Sequence, residues 1–194
     1  MKVLELFSGT GSVGKCCKAI GWDVVSVDMI LPADHQCDIL NFDYKQYGPD
    51  EFDIVWASPP CTEYSIAKTR GIRDIENSNK IVLKTIEIIN YFDCKYWFIE
   101  NPQTGLLKSQ SFMKDFKFVD GDYCMYGLPY RKRTRFWTNK ECQLKLCDKQ
   151  CGSFINGKHL GSCGNGHSDR TNKHYTLKEK YRIPEDLIYT LFLE

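Results

Sequence analysis

Val3-Leu4-Glu5-Leu6-Phe7-Ser8-Gly9-Thr10-Gly11-Ser12-Val13-Gly14 decides the fold. An apolar run ending at Phe7 predicts a short buried strand, and residues 13–20 carry the apolar spacing of a helix. A Gly-x-Gly loop joins the two. Glycine lets a backbone turn tightly and approach a ligand closely, and a helix amino terminus favours an anionic group such as a carboxylate. Phe7, Ser8, Gly9, Thr10, Gly11, Ser12 and Val13 are therefore candidate cofactor-binding residues. A tight connection that binds nothing is the competing reading of the loop alone.

Working outward, strand and helix signals alternate. Residues 23–27 predict a second strand, ending at Asp28 and Met29. Residues 52–57 predict another, ending at Ser58-Pro59-Pro60-Cys61. Ser78 is a candidate cap for a helix that places Ile81, Val82, Ile86, Ile89 and Phe92 on one face. Residues 96–99 predict a fourth strand, ending at Glu100-Asn101-Pro102. Such alternation implies an α/β fold with a mostly parallel, doubly wound, Rossmann-like sheet. The glycine loop, Asp28, Cys61 and Glu100 all follow strand carboxyl ends, the edge where open α/β sheets bind ligands.

Each residue type suits a task. Asp28 is placed to accept hydrogen bonds from ribose hydroxyls, which with the glycine loop points to a nucleoside-containing cofactor. Asp38 and Ile39 are candidates to meet an adenine edge; a surface aspartate at a strand end is the plainer reading. Two prolines hold the chain rigid before Cys61, and a rigid, edge-placed thiol suits covalent catalysis. Ser58 and Pro59 share that edge. Glu100 is poorly placed as base for a neighbouring thiol, because like charges repel, and better suited to hold or protonate an electron-poor ring. In Tyr130-Arg131-Lys132-Arg133-Thr134-Arg135, strand alternation points Arg133 and Arg135 the same way. Two guanidinium groups there could hold phosphate or orient a base.

Charge and composition add context. Residues 131–180 hold 12 Lys and Arg against 4 Asp and Glu, while the remainder holds 14 against 21. A basic block on an acidic body suits a polyanionic partner; a solvated Lys-rich loop accounts for it equally well. No apolar run approaches the length of a membrane span, and no signal peptide is visible, so an intracellular protein without membrane association is expected. Ten cysteines in such a chain suggest free thiols, a metal site or a nucleophile. Residues 139–174 are rich in Lys, Cys, Gly, His and Asn and lack clear periodicity. Within them, Cys147, Cys151, Cys163 and His167 are candidate ligands for a structural zinc, with Cys142 and His159 as substitutes. Free thiols in an irregular loop are the competing reading.

Taken together, these motifs resemble those of the DNA cytosine-5 methyltransferase family. The residue 7–14 loop is similar to its cofactor motif. Pro59-Pro60-Cys61, Glu100-Asn101 and Arg133-Thr134-Arg135 resemble its nucleophile, Glu-Asn and Arg-x-Arg motifs, in the family's order. Tyr175-Thr176-Leu177 with Ile183-Pro184 faintly resembles a late motif. The resemblance implies S-adenosylmethionine as cofactor and a flipped cytosine in DNA as substrate, with Cys61, Glu100, Arg133 and Arg135 as catalytic residues. RNA as substrate and a silent binding module are the alternatives. An amino-directed methyltransferase would carry an aromatic residue where Cys61 stands.

The chain departs from the family pattern at Thr62, Tyr64, Pro102 and Arg131, and the spacing from Gly127 to Arg-x-Arg is one residue longer. The resemblance implies a catalytic and cofactor-binding domain over residues 1–138, a reduced target-recognition insertion over 139–174, and a return to the catalytic domain over 175–194. So short an insertion leaves target recognition to itself, to a partner or to self-association.

Overall fold

The computed structural model describes residues 1–161 and 175–194; Cys163 and His167 of the expected zinc set lie outside the described residues. Strand β1 (Lys2–Leu6) leads through the glycine loop into helix α1 (Ser12–Ala19). Strands β2 (Asp23–Asp28), β3 (His35–Gln36) and β4 (Ile54–Ala57) follow, then helix α2 (Ile75–Tyr91). The chain continues through β5 (Tyr96–Pro102), β6 (Phe118–Asp122) and β7 (Arg133–Thr138). A small hairpin of β8 (Phe154–Ile155) and β9 (Lys158–His159) comes next, and α3 (Leu177–Tyr181) and α4 (Glu185–Leu193) end the chain.

Strands β1 to β7 form one sheet in the order β3-β2-β1-β4-β5-β7-β6. The five strands from β3 to β5 run parallel, and β7 is antiparallel to both β5 and β6. The expected mostly parallel α/β sheet is thus present. Its order reverses at β1, with β2 on one side and β4 on the other. A crevice opens at such a switch point, outside the carboxyl ends of the strands. The residues that follow β1 and β4 are the glycine loop and Ser58-Pro59-Pro60-Cys61.

Helices cover both faces. On one, Val82, Ile88 and Ile89 of α2 pack with Leu4, Leu6, Val55 and Ile99. On the other, Val13 and Cys17 of α1 join Leu187, Ile188 and Leu191 of α4 against Val3, Trp56, Phe98 and Phe136. Strand residues therefore alternate between two cores, and β1 and β4 have no polar face. The apolar tail of the sequence closes the second core: α4 packs on α1 although the two lie at opposite ends of the chain.

Two local expectations shift. Helix α2 begins before Ser78; Asp74 is its cap and accepts from Asn77 N–H, so Ser78 lies inside the helix, buried. Glu100 and Asn101 are in β5, paired with β7, not beyond it. Among the described residues, no helix is long and apolar enough to cross a membrane.

Candidate active site

The glycine loop takes its shape from left-handed backbone. Gly9 and Gly11 have φ of 51° and 67°, and Phe7, with a full side chain, has φ of 59°. Such a conformation is uncommon outside glycine and concentrates at functional sites. Gly11 begins α1 without a side-chain cap, and no acidic residue occupies the helix's first turn. Two of the helix's amino-terminal N–H groups instead meet Glu5, which points up from β1. Its Oε2 accepts from Gly14 N–H at 3.1 Å, and Val13 N–H also bonds this carboxylate. A Cβ at position 14 would lie 2.7 Å from that oxygen, so any larger residue would push the Glu5 carboxylate aside. Burial pushes the Glu5 carboxyl up to about 7, against the lowering effect of those N–H groups.

Asp28 closes the loop from the β2 side. Its Oδ2 accepts from Gly9 N–H at 2.8 Å, and its Oδ1 accepts from Ile30 and Leu31 N–H at 2.8 and 2.7 Å. The same turn leaves Met29 60% and Ile30 73% exposed. Large apolar side chains held in water beside an acid and a glycine loop fit a nucleoside. The turn thus suits S-adenosylmethionine, with Asp28 for ribose hydroxyls and Met29 for an apolar ring.

Asp38 and Ile39 also have structural roles. Asp38 Oδ1 caps a short turn by accepting from Leu40 N–H at 2.9 Å, and Ile39 is buried in the core. The Ile39 side chain is therefore unavailable to a ligand. Val13 is likewise a core residue and offers only its backbone. Ser58 Oγ receives the Trp56 indole N–H at 2.9 Å.

Cys61 follows β4 and is half-buried. Asn101 Nδ2 donates to Pro59 O at 3.0 Å, tying the segment after β4 to β5. Beyond Cys61 the chain is laced to itself. Glu63 accepts from Lys68 Nζ and from Asp74 N–H, and Arg73 donates to the carbonyls of Glu63 and Lys68. Burial raises the Cys61 thiol above its usual range; the Glu100 charge raises it further and Lys132 opposes both.

Glu100 is 7% exposed and has two partners. Tyr123 OH donates to Oε1 at 3.2 Å, and Lys132 Nζ lies 3.7 Å from the same oxygen. Lys132 also sits over the Tyr123 ring, 4.8 Å from its centre. These two neighbours were missed in the sequence, where Lys132 was one cation in a basic run.

The two arginines stand elsewhere. Arg135 faces Asn101 across the β5–β7 ladder, whereas Glu100 faces Phe136. Side chains alternate along a strand, so Arg133 and Arg135 leave the sheet on the face opposite Glu100. Both point the same way, as expected, but each is held by an aspartate of β6. Arg133 donates from Nε and Nη2 to Asp122 at 3.2 and 3.0 Å, and Arg135 from Nε and Nη2 to Asp120 at 2.7 and 2.9 Å. Part of the basic block thus neutralises acids of this same chain. Counted from Gly127 with the family's spacing, one residue shorter, the Arg-x-Arg positions fall on Lys132 and Thr134, and Lys132 is the cation that reaches Glu100.

Among the described residues, Cys147 and Cys151 come together with Cys124 and His159. His159 is one of the two substitutes that the sequence offers. Cys124 lies far upstream of the Cys-rich insertion, outside any spacing pattern within it.

The family model described as C-5 cytosine-specific DNA methylase matches residues 1–119. A protein of Frog virus 3 (isolate Goorha) that carries the name "Probable DNA (cytosine-5)-methyltransferase" is 35% identical over 213 residues, covering 98% of each chain. Among solved structures, a DNA modification methyltransferase encoded within an Escherichia coli prophage has TM-score 0.54 at 18% identity, covering 71% of this chain and 46% of that one. The Entamoeba histolytica methyltransferase EhMeth has TM-score 0.54 at 19% identity, covering 74% and 56%. The chain thus spans about half the length of these two structures, whose likeness bears on the fold alone. By the match of its first 119 residues and the full-length likeness to the viral protein, the chain belongs to the C-5 cytosine-specific DNA methylase family, whose members transfer a methyl group from S-adenosylmethionine to carbon 5 of cytosine.

Proposed function

We propose that this chain methylates cytosine in DNA with Cys61 as nucleophile and Glu100 as the group that holds the base's ring nitrogen. One observation carries the reading: Asn101 fastens the backbone before Cys61 to the strand that bears Glu100, and so brings a nucleophile and a ring-binding acid to one sheet edge. Residues 1–138 and 175–194 would form the catalytic body and residues 139–174 the reduced target-recognition region.

Carbon 5 of cytosine is a poor nucleophile. Cys61 Sγ, once deprotonated, bonds to carbon 6, and the displaced π electrons make carbon 5 electron-rich. Glu100 supports that addition by hydrogen-bonding or protonating the ring nitrogen. Tyr123 and Lys132 hold the Glu100 carboxyl in place. S-adenosylmethionine, if bound by the glycine loop, Asp28 and Met29, would supply the electrophilic methyl group to carbon 5 and leave as the neutral thioether S-adenosylhomocysteine. Loss of the carbon 5 proton to a solvent base then breaks the carbon 6–sulfur bond and frees Cys61. The base must leave the duplex to reach Cys61, which costs a few kcal/mol. The half-burial that raises the Cys61 thiol also protects it from adventitious reaction until a base binds.

Trapping tests this reading. DNA containing 5-fluorocytosine, S-adenosylmethionine and the protein should yield a covalent adduct that the Cys61→Ser variant does not form. An adduct formed equally by that variant would remove Cys61 from the mechanism. An adduct on a transfer RNA probe, with none on DNA, would overturn the substrate assignment.

A further inference from the structure

Three cysteines and a histidine from separate segments meet at the carboxyl end of β6. Cys124 lies in the single turn Tyr123–Tyr126, Cys147 and Cys151 lie in the loop beyond β7, and His159 ends β9. One donor atom from each lies within 4.8 Å of all the others. Cys147 Sγ is 3.5 Å from Cys151 Sγ and 3.4 Å from His159 Nε2. A tetrahedral ion bound ~2.3 Å from sulfur sets its ligand atoms roughly 3.8 Å apart. The donors therefore stand close to the spacing that such an ion requires.

We propose that Cys124, Cys147, Cys151 and His159 form a structural zinc site that fastens the insertion after β7 to the sheet edge beside Arg133. Three thiolates and an imidazole are a closed zinc donor set, with no position left for a reacting water. The local backbone is shaped to deliver them. Lys149 takes φ of 77° between the two cysteines, and its N–H points to Cys147 Sγ at 3.4 Å. Asn156-Gly157, with φ of 50° and 81°, makes the two-residue turn of the β8–β9 hairpin. That turn sets His159 opposite Phe154 and returns it to the cysteines.

Two further observations favour a bound ion. Among the described residues, the buried cluster here consists of the three cysteines, with Met125 and Phe154 packed against it. Thiols bury little apolar surface, and a metal commonly orders segments too small to build a core. Cationic groups also stand nearby. Zinc with three thiolates is a net anion, and the Cys147 N–H donates at 2.8 Å to Asp122 Oδ2, the oxygen that Arg133 Nη2 and Arg131 Nε approach at 3.0 and 3.3 Å. Binding would displace the thiol protons to solvent.

The site stands independently of the methylation reading, so its test does not use activity. Full-length protein purified under reducing conditions and desalted should carry one zinc per chain by mass spectrometry of metals. Replacement by cobalt should give the thiolate charge-transfer and intense visible bands of tetrahedral coordination. Cys151→Ser and His159→Ala should each weaken zinc retention against a chelator by at least roughly tenfold, while Cys142→Ser and Cys163→Ser retain it. Circular dichroism identifies any variant that fails to fold, and the cobalt spectrum of the unaltered protein still decides the matter. Metal-free folded protein, a Cys147–Cys151 disulfide in its place, or zinc that survives His159→Ala but not Cys163→Ser would overturn the proposal.

Discussion

Asn101 Nδ2 donates to the Pro59 carbonyl at 3.0 Å from a side chain that is 1% exposed, so the Cys61 loop hangs on the strand that carries Glu100. Asn101→Ala leaves the Pro59 carbonyl without this donor. The lost bond should cost about 1–3 kcal/mol in urea unfolding. The catalytic effect should be larger, because a small displacement of a nucleophile can lower a rate about a hundredfold. Single-turnover methylation should fall by that order while S-adenosylmethionine affinity, measured by calorimetry, stays near that of the unaltered protein. Equal losses in both would mean that Asn101 supports the fold generally.

The charges around Cys61 make opposite predictions for two neighbours. Glu100 raises the thiol and Lys132 lowers it. Glu100→Gln should therefore shift the pH profile of Cys61 alkylation to lower pH, and Lys132→Ala should shift it to higher pH. Mass spectrometry of the Cys61 peptide after timed iodoacetamide treatment reads both. The Glu100→Gln variant should react faster with iodoacetamide at pH 8 and yet lose methylation. That combination separates the acid's role on the base from its effect on the thiol.

Much of the site was legible because its chemistry is local in sequence. The glycine loop, Asp28, Pro-Pro-Cys and Glu-Asn each follow an apolar run, and parallel strand order brings such endings to one edge. What escaped depends on pairing between strands. Register across the β6–β7 ladder sets Asp122 opposite Arg133 and Asp120 opposite Arg135, and no short window contains both partners. The same register turns Lys132 toward Glu100. Glu5 escaped for another reason. In sequence it interrupts an apolar strand like any half-exposed residue, yet it lies under a helix whose N–H groups it accepts. Cys124 was hidden by distance, lying in a different segment from the other three ligands.

Asp122 joins the antiparallel edge to the insertion. It is fully buried and accepts from Arg133 and from Cys147 N–H, with Arg131 alongside. Burial alone would raise its carboxyl, but these donors hold it below the usual range. Asp122→Ala strands Arg133 and frees the Cys147 loop; breaking a buried pair in this way costs about 3–5 kcal/mol. Asp120→Ala removes a carboxylate that is 19% exposed, against 0% for Asp122, and should cost less. Urea unfolding of the two variants side by side checks the ranking, and proteolysis of the residue 139–161 loop should accelerate in the first alone.

Glu5 should make stability fall as pH rises. Its carboxyl titrates near 4.5 in the unfolded chain and is pushed up to about 7 by burial in the fold. Between those values the folded protein binds more protons than the unfolded one, so unfolding free energy decreases with pH. The stabilisation is fully present below about pH 4.5, is lost as pH passes through about 7, and then levels off; a displacement of this size corresponds to about 3 kcal/mol. Glu5→Gln keeps an acceptor for Gly14 N–H and cannot ionise. Its melting temperature relative to the unaltered protein should therefore rise across that window and stay constant above it. A difference that does not change between pH 5 and pH 8 would mean that the carboxylate is already charged beneath the helix, held there by the Val13 and Gly14 N–H groups.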